Sequence, residues 1–137
     1  MVIEWGEEYE TGYPLIDKGH RGIIEITNRL ERLQGSGDTA EVGQVLCDLT
    51  DCVLMHFGYE EMFMQRVHYP GYDAHMLSHC EFFATLTRFI YAFETNESGL
   101  APELQGFLSS WLAGHESKED KEFVDYLARF HPDSLGL

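Results

Sequence analysis

Five histidines and two acids fall on the apolar stripes of four helix-like segments, where an unpaired polar group is expensive to bury. They are His20, His56 with Glu60, His75 with His79, and His115 with Asp120. The chain has seven histidines, so only His68 and His131 stand outside the pattern. A fold must bring these side chains to one centre or strand each of them in a core. An all-α, up-down-up-down four-helix bundle does the former, because each helix turns one stripe toward a shared axis.

The apolar periodicity predicts where the helices lie. The first spans Leu15 to Gln34, with Ile16, His20, Ile23, Thr27 and Leu30 on one face, and Gly35-Ser36-Gly37 ends it. Asp38-x-x-Glu41 resembles a capping box for the second helix, which reaches about Arg66. Its inner stripe runs Val42, Val45, Leu46, Leu49, Val53, His56, Phe57, Glu60, Phe63, Met64. After the Tyr69-Pro70-Gly71 turn, the third helix repeats His75, His79, Phe82, Leu86, Phe89 and Phe93. Pro102 suits the first turn of the fourth, whose stripe is Leu104, Phe107, Leu108, Trp111, Leu112 and His115. A short C-terminal helix, Phe123 to Phe130, has a stripe of Phe123, Leu127 and Phe130. Residues 1–12 read as an irregular N-terminal arm, residues 15–130 as the bundle, and 1–137 as a single domain. Trp5 and Tyr9 are expected to pack over one end of it.

Spacing then tests whether each pair can share a centre. His56 and Glu60 are about 40° apart around a helix axis, and so are His75 and His79. His115 and Asp120 lie about 140° apart on an ideal helix. They can converge only if the helix unwinds or ends between them, and Gly114 with the polar run from Glu116 to Glu119 invites a distortion.

Charge excludes several functions. Nine basic against 24 acidic residues leave a net charge of −15, which argues against nucleic acid and anionic lipid as partners. No apolar run approaches transmembrane length, so direct membrane insertion is not expected. The first eight residues have neither a basic start nor an apolar stretch, which predicts no signal peptide. Cys47, Cys52 and Cys80 form no C-x-x-C pair and read as reduced thiols of a cytoplasmic protein.

Histidine nitrogen suits iron, copper, zinc and nickel, and a carboxylate can bridge two hard cations. Seven ligands are too many for one ion. Two six-coordinate ions sharing two bridging carboxylates and a bridging oxo or hydroxo group would leave one position open, where a small ligand such as O2 could bind.

At these motifs the sequence resembles the hemerythrin family, specifically its bacterial hemerythrin-like domains. Trp5-x3-Tyr9-x2-Gly12-x3-Ile16-Asp17-x2-His20 is similar to the family's N-terminal signature. His56-Phe57-x2-Glu60-Glu61-x2-Met64, Tyr69-Pro70 and His75-x3-His79 are similar to its second block. Trp111-Leu112-x2-His115-x4-Asp120-Lys121 is similar to its last. The resemblance implies two iron ions (Fe2+/Fe3+) with an oxo or hydroxo bridge, and O2 as ligand, taken up as a hydroperoxide by two-electron transfer. It implies that His75, His79 and His115 bind the saturated iron, that His20 and His56 bind the open one, and that Glu60 and Asp120 bridge. Ile23, Phe57, Trp111 and Leu112 are the candidates for a dry O2 pocket. Storage, delivery or sensing of O2 would follow. Members of the family occur alone and within larger signalling proteins, which leaves both settings open for this chain.

The pattern breaks at Glu116. The residue after the last histidine is typically apolar in the family and lies near the O2 site. Either Glu116 turns to solvent where the helix distorts, or its carboxylate approaches the open iron as a third carboxylate or proton relay. The second reading implies altered O2 stability, and its extreme is an oxidase- or peroxidase-like protein. A metal-binding module without O2 chemistry is a further alternative.

Overall fold

A computed structural model describes residues 2–33 and 39–134, with the Glu116 side chain excepted. Five α-helices follow in order: α1 Pro14–Leu33, α2 Thr39–Arg66, α3 Tyr72–Glu94, α4 Leu100–Trp111 and α5 Asp120–Phe130. A π-helical segment, Leu112–Glu119, joins α4 to α5. A 3₁₀ turn, Pro132–Ser134, follows. The Gly35-Ser36-Gly37 break and the Asp38 cap lie outside the described residues. No strand occurs among the described residues. None of the helices is long and apolar enough to cross a membrane.

α1 packs on α2 and α4, and α3 packs on α2 and α4, which closes a four-helix bundle. The stripe expected for α2 is buried from Val45 to Met64, with only Val42 at its edge. In α1, Ile16, His20, Ile23, Thr27 and Leu30 are buried as expected. Apolar residues above and below the buried polar layer form two clusters. The larger includes Ile23, Leu30, Val45, Leu49, Phe82, Leu104 and Leu108. The smaller includes Tyr13, Ile16, Phe63, Met64, Phe123 and Leu127. This division fixes the polar residues at one depth. Phe130, expected on the inner stripe of α5, is exposed instead, with the Arg129 guanidinium 5.1 Å from its ring centre.

The arm does more than cover an end. Ile3 and the Asn28 side chain exchange two hydrogen bonds, at 2.7 and 2.8 Å. Asp17 accepts from Thr11 N, Thr11 Oγ1 and Gly12 N at 2.8, 2.7 and 3.2 Å. Pairing residue 3 with 28 and residue 11 with 17 runs the arm back along α1. Arg21 stacks over Trp5 at 4.3 Å, which anchors its middle. Gly12, at φ 86°, takes a left-handed conformation that favours glycine where the arm turns into α1.

Candidate metal centre

All seven residues singled out from the sequence meet in the bundle interior, each at most 4% exposed. His20 projects from α1, His56 and Glu60 from α2, His75 and His79 from α3, His115 from the π-helical segment and Asp120 from the first turn of α5.

The π-helical segment solves the His115–Asp120 spacing. The helix neither unwinds nor ends; it widens. The Asp120 N–H donates to the His115 carbonyl, five residues back, and Ser117 Oγ caps the Leu112 carbonyl at 3.0 Å. Five-residue closure brings residues five apart onto one face. Glu116 lies in this widened turn; its side chain is outside the described residues.

The five Nε2 atoms converge on two carboxylates, and each carboxylate divides its oxygens between two groups of histidines. Glu60 Oε1 lies 3.2 Å from His75 and 3.3 Å from His79, while Oε2 lies 3.3 Å from His56. Asp120 Oδ1 lies 3.0 Å from His75 and 3.1 Å from His115, while Oδ2 lies 2.8 Å from His20. Two quartets result whose ligand atoms could each surround one cation: Glu60 with His75, His79 and His115, and Glu60 with His20, His56 and Asp120.

The chemistry of the set fits metal. His79 Nδ1 hydrogen-bonds Glu61 Oε2 at 2.7 Å, and His115 Nδ1 lies against a Glu119 carboxylate oxygen, in contact but without hydrogen-bond geometry. The Glu61 carboxylate holds the N–H on His79 Nδ1 and aims that ring's bare Nε2 lone pair inward. His79 Nε2 and His115 Nε2 stand 3.2 Å apart, close enough for one cation to bind both. His56 Nε2, Glu60 Oε2 and Asp120 Oδ1 are buried without hydrogen-bond geometry to any partner among the described residues, as ligands awaiting a cation would be.

Electrostatics reinforce this. Burial alone would raise Glu60, but the His56 charge and the approach of His75 and His79 hold it well below the usual carboxylate range. Asp120 is raised by burial and by Glu60, yet contacts with His115, His20 and His75 leave it below its ordinary value. Both therefore stand ready as anionic ligands. Burial works against a charged His75, but the adjacent Asp120 and Glu60 carboxylates push it up to about 10. His56 is raised in the same way, with Glu60 outweighing burial. Without metal, protons on these histidines are the counter-charge that two buried carboxylates require.

The apolar residues proposed as a pocket distribute unevenly. Phe57 stacks on His79, with ring centres 3.9 Å apart and planes 2° apart. Trp111 stacks on His115 at 4.1 Å and 14°. Ile23 and Leu112 are buried in the larger apolar cluster. His68 is exposed with φ 55°, and His131 follows the end of α5; neither belongs to the centre.

Sequence reasoning missed the outer partners. Glu61 and Glu119 look like surface acids, yet each follows a ligand at short range, beside Glu60 and four residues after His115. The Tyr9 carbonyl, which accepts from His20 Nδ1 at 3.0 Å, leaves no trace in residue type. Gly19 is a further omission. A Cβ built there would stand 1.9 Å from His56 Nδ1, so only glycine leaves the ring its place.

Residues 11–127 match the family model "Hemerythrin HHE cation binding domain". The chain is 32% identical to a bacteriohemerythrin of Stenotrophomonas maltophilia, over 90% of this chain and 80% of that protein. It is 30% identical to a bacteriohemerythrin of Methylococcus capsulatus, over 88% of this chain and 92% of that one. The crystal structure of a wild-type hemerythrin superposes with a TM-score of 0.84 at 28% identity, covering 91% of this chain and 97% of the other. With a buried His/Glu/Asp cluster at its core, the chain belongs to the hemerythrin family, whose members bind a non-haem di-iron centre.

Proposed function

We propose that this chain is an O2-binding di-iron domain for storage, delivery or sensing. In this reading His75, His79 and His115 hold one iron, His20 and His56 hold the other, and Glu60 and Asp120 serve both. The observation that carries it is the division of each carboxylate's two oxygens between the two histidine groups. When bound, the iron pair supplies the two electrons that reversible O2 binding needs.

The chain's own residues set the conditions. Five neutral imidazoles and two carboxylates carry less negative charge than a carboxylate-rich set, so the reduced pair is not driven toward full oxidation. Phe57 and Trp111 cover His79 and His115 with aromatic faces, and Ile23 and Leu112 extend the apolar wall, which limits water and protons near the centre. Three cysteines, none in a disulfide, support a cytoplasmic setting.

Anaerobic loading with Fe(II), followed by O2, tests the reading through the visible spectrum. The expected result is two irons per chain and a persistent oxygenated spectrum that reverses on deoxygenation. No O2-dependent change would refute it. Rapid decay to the diferric protein would instead favour oxidase- or peroxidase-like chemistry. The position of Glu116, directly after His115, favours that second reading enough to test it. Glu116→Ile should slow any such decay, and identical kinetics would remove Glu116 from the chemistry.

A further inference from the structure

We infer that the two metal positions hold their ions unequally: the His75/His79/His115 position is the firm one, and the His20/His56 position exchanges. The inference rests on the di-iron reading above and goes beyond it, because it concerns the residues behind the ligands.

A histidine ligand binds metal through one nitrogen and is oriented by whatever its other nitrogen touches. A carboxylate there fixes the tautomer and makes the imidazole a stronger donor; a neutral carbonyl does so less; an absent partner leaves the ring unsupported. The structure sorts four of the five histidines by this measure. His79 Nδ1 has the Glu61 carboxylate at 2.7 Å. His115 Nδ1 lies against a Glu119 carboxylate oxygen, in contact but without hydrogen-bond geometry, and the other oxygen accepts from Ser78 Oγ at 3.2 Å. Both carboxylates therefore stand behind the same iron position. In the other position, His20 Nδ1 has the Tyr9 main-chain carbonyl at 3.0 Å. His56 Nδ1 is buried and has no hydrogen-bond partner among the described residues.

Access follows the same division. A largely apolar groove of about 330 Å³ between α1 and α2 reaches His56, bounded by Gly19, Gly22, Cys52 and Met55. His56 Nδ1 and Cys52 Sγ sit against the two glycines, so the groove floor ends at the ring with the least support. A depression of about 400 Å³ also reaches His115. There, however, the ring is covered by Trp111 and its outer nitrogen lies against Glu119. Glu61 and Glu119 are thus positioning residues, acting on metal through His79 and His115. Glu61, which hydrogen-bonds its histidine where Glu119 only lies in contact, should have the larger effect.

The test is iron release. The Fe(II)-loaded full chain is mixed anaerobically with excess coloured Fe(II) chelator, and the absorbance is followed in time. Two phases of one iron each are expected. Glu61→Gln keeps the side-chain shape and removes the charge; it should accelerate the slow phase by roughly 10- to 100-fold and leave the fast phase unchanged. Glu119→Gln should act on the same phase, less strongly. His56→Ala should remove the fast-released ion and leave one slowly released iron. With Co(II) as probe, the d–d absorption of the slowly released ion should shift in E61Q and that of the fast one should not, which a general loosening of the fold would not produce. Release of both irons at one rate, or E61Q acting on the fast phase, overturns the inference while leaving the di-iron reading intact. Loading of fewer than two irons overturns both.

Discussion

Replacing Gly19 with alanine should empty one iron position without unfolding the chain. The added Cβ would lie 1.9 Å from His56 Nδ1, 2.4 Å from Cγ and 2.6 Å from Cε1. The clash reaches the ring's stem, so rotation about the last bond cannot relieve it. Moving from 1.9 Å to the 3.4 Å of ordinary contact requires a retreat of about 1.5 Å. A metal–nitrogen bond of about 2.1 Å tolerates roughly 0.2 Å. The displaced His56 therefore leaves bonding range by several times the tolerance. Stability should change far less. Overpacking costs about 1–3 kcal/mol, and alanine in a helix interior recovers about 1 kcal/mol relative to glycine. The assay is iron content after desalting, paired with urea unfolding of the metal-free protein. Gly19→Ala should retain about one iron in place of two, with a metal-free stability within about 2 kcal/mol of the parent. Adding His56→Ala to Gly19→Ala removes the clash, so that double variant should be more stable than His56→Ala alone. Two irons and an unchanged oxygenated spectrum in Gly19→Ala would refute the steric argument.

Metal-free and loaded protein should respond oppositely to alkali. His75 is raised to about 10, so its contribution is complete below its unfolded value near 6.5 and fades as pH climbs toward 10. Glu60 and Asp120 are lowered, so their contribution is present above about pH 4 and fades below it. The melting temperature of the metal-free chain should fall between about pH 6.5 and 10. That of the loaded chain should hold or rise there, because metal needs unprotonated imidazole; parallel curves would contradict the account. Phe57→Ala removes a ring that stacks on His79 and packs edge-on against Phe82 at 5.2 Å. Chemical denaturation should show a loss of about 3–5 kcal/mol, and a loss below about 1 kcal/mol would mean that the site had collapsed around the gap.

Most of the bundle was legible because its stripes are unambiguous. The inner face of α2 was readable almost residue by residue, and the polar members of each stripe marked the centre. The ligand set could be read because burial makes histidine and carboxylate improbable without a purpose. Other features left weaker marks. The spacing of His115 and Asp120 showed that the helix had to deform, but not that it would widen into a π-helix, since unwinding satisfies the same geometry. The arm's course depends on main-chain carbonyls at Ile3 and Tyr9, which residue identity does not reveal. Glu61 and Glu119 read as solvated acids in a strongly acidic chain, and only the direction of the His79 and His115 rings distinguishes them. Phe130 kept the period of its stripe but packs on Tyr126 at the exposed end of α5, not on the core.

The π-helical segment also settles a matter of phase. Leu104 and Leu108 before it, and Phe123 and Leu127 after it, all point inward. An ordinary helix would carry one residue fewer between those pairs; a strict α-helix of this length would bring Phe123 and Leu127 in about 100° off the Leu104 and Leu108 face. The wide turn absorbs the surplus residue as a leap day absorbs a calendar's drift. The fourth rod therefore keeps step with the bundle at both ends while presenting two ligands in the middle.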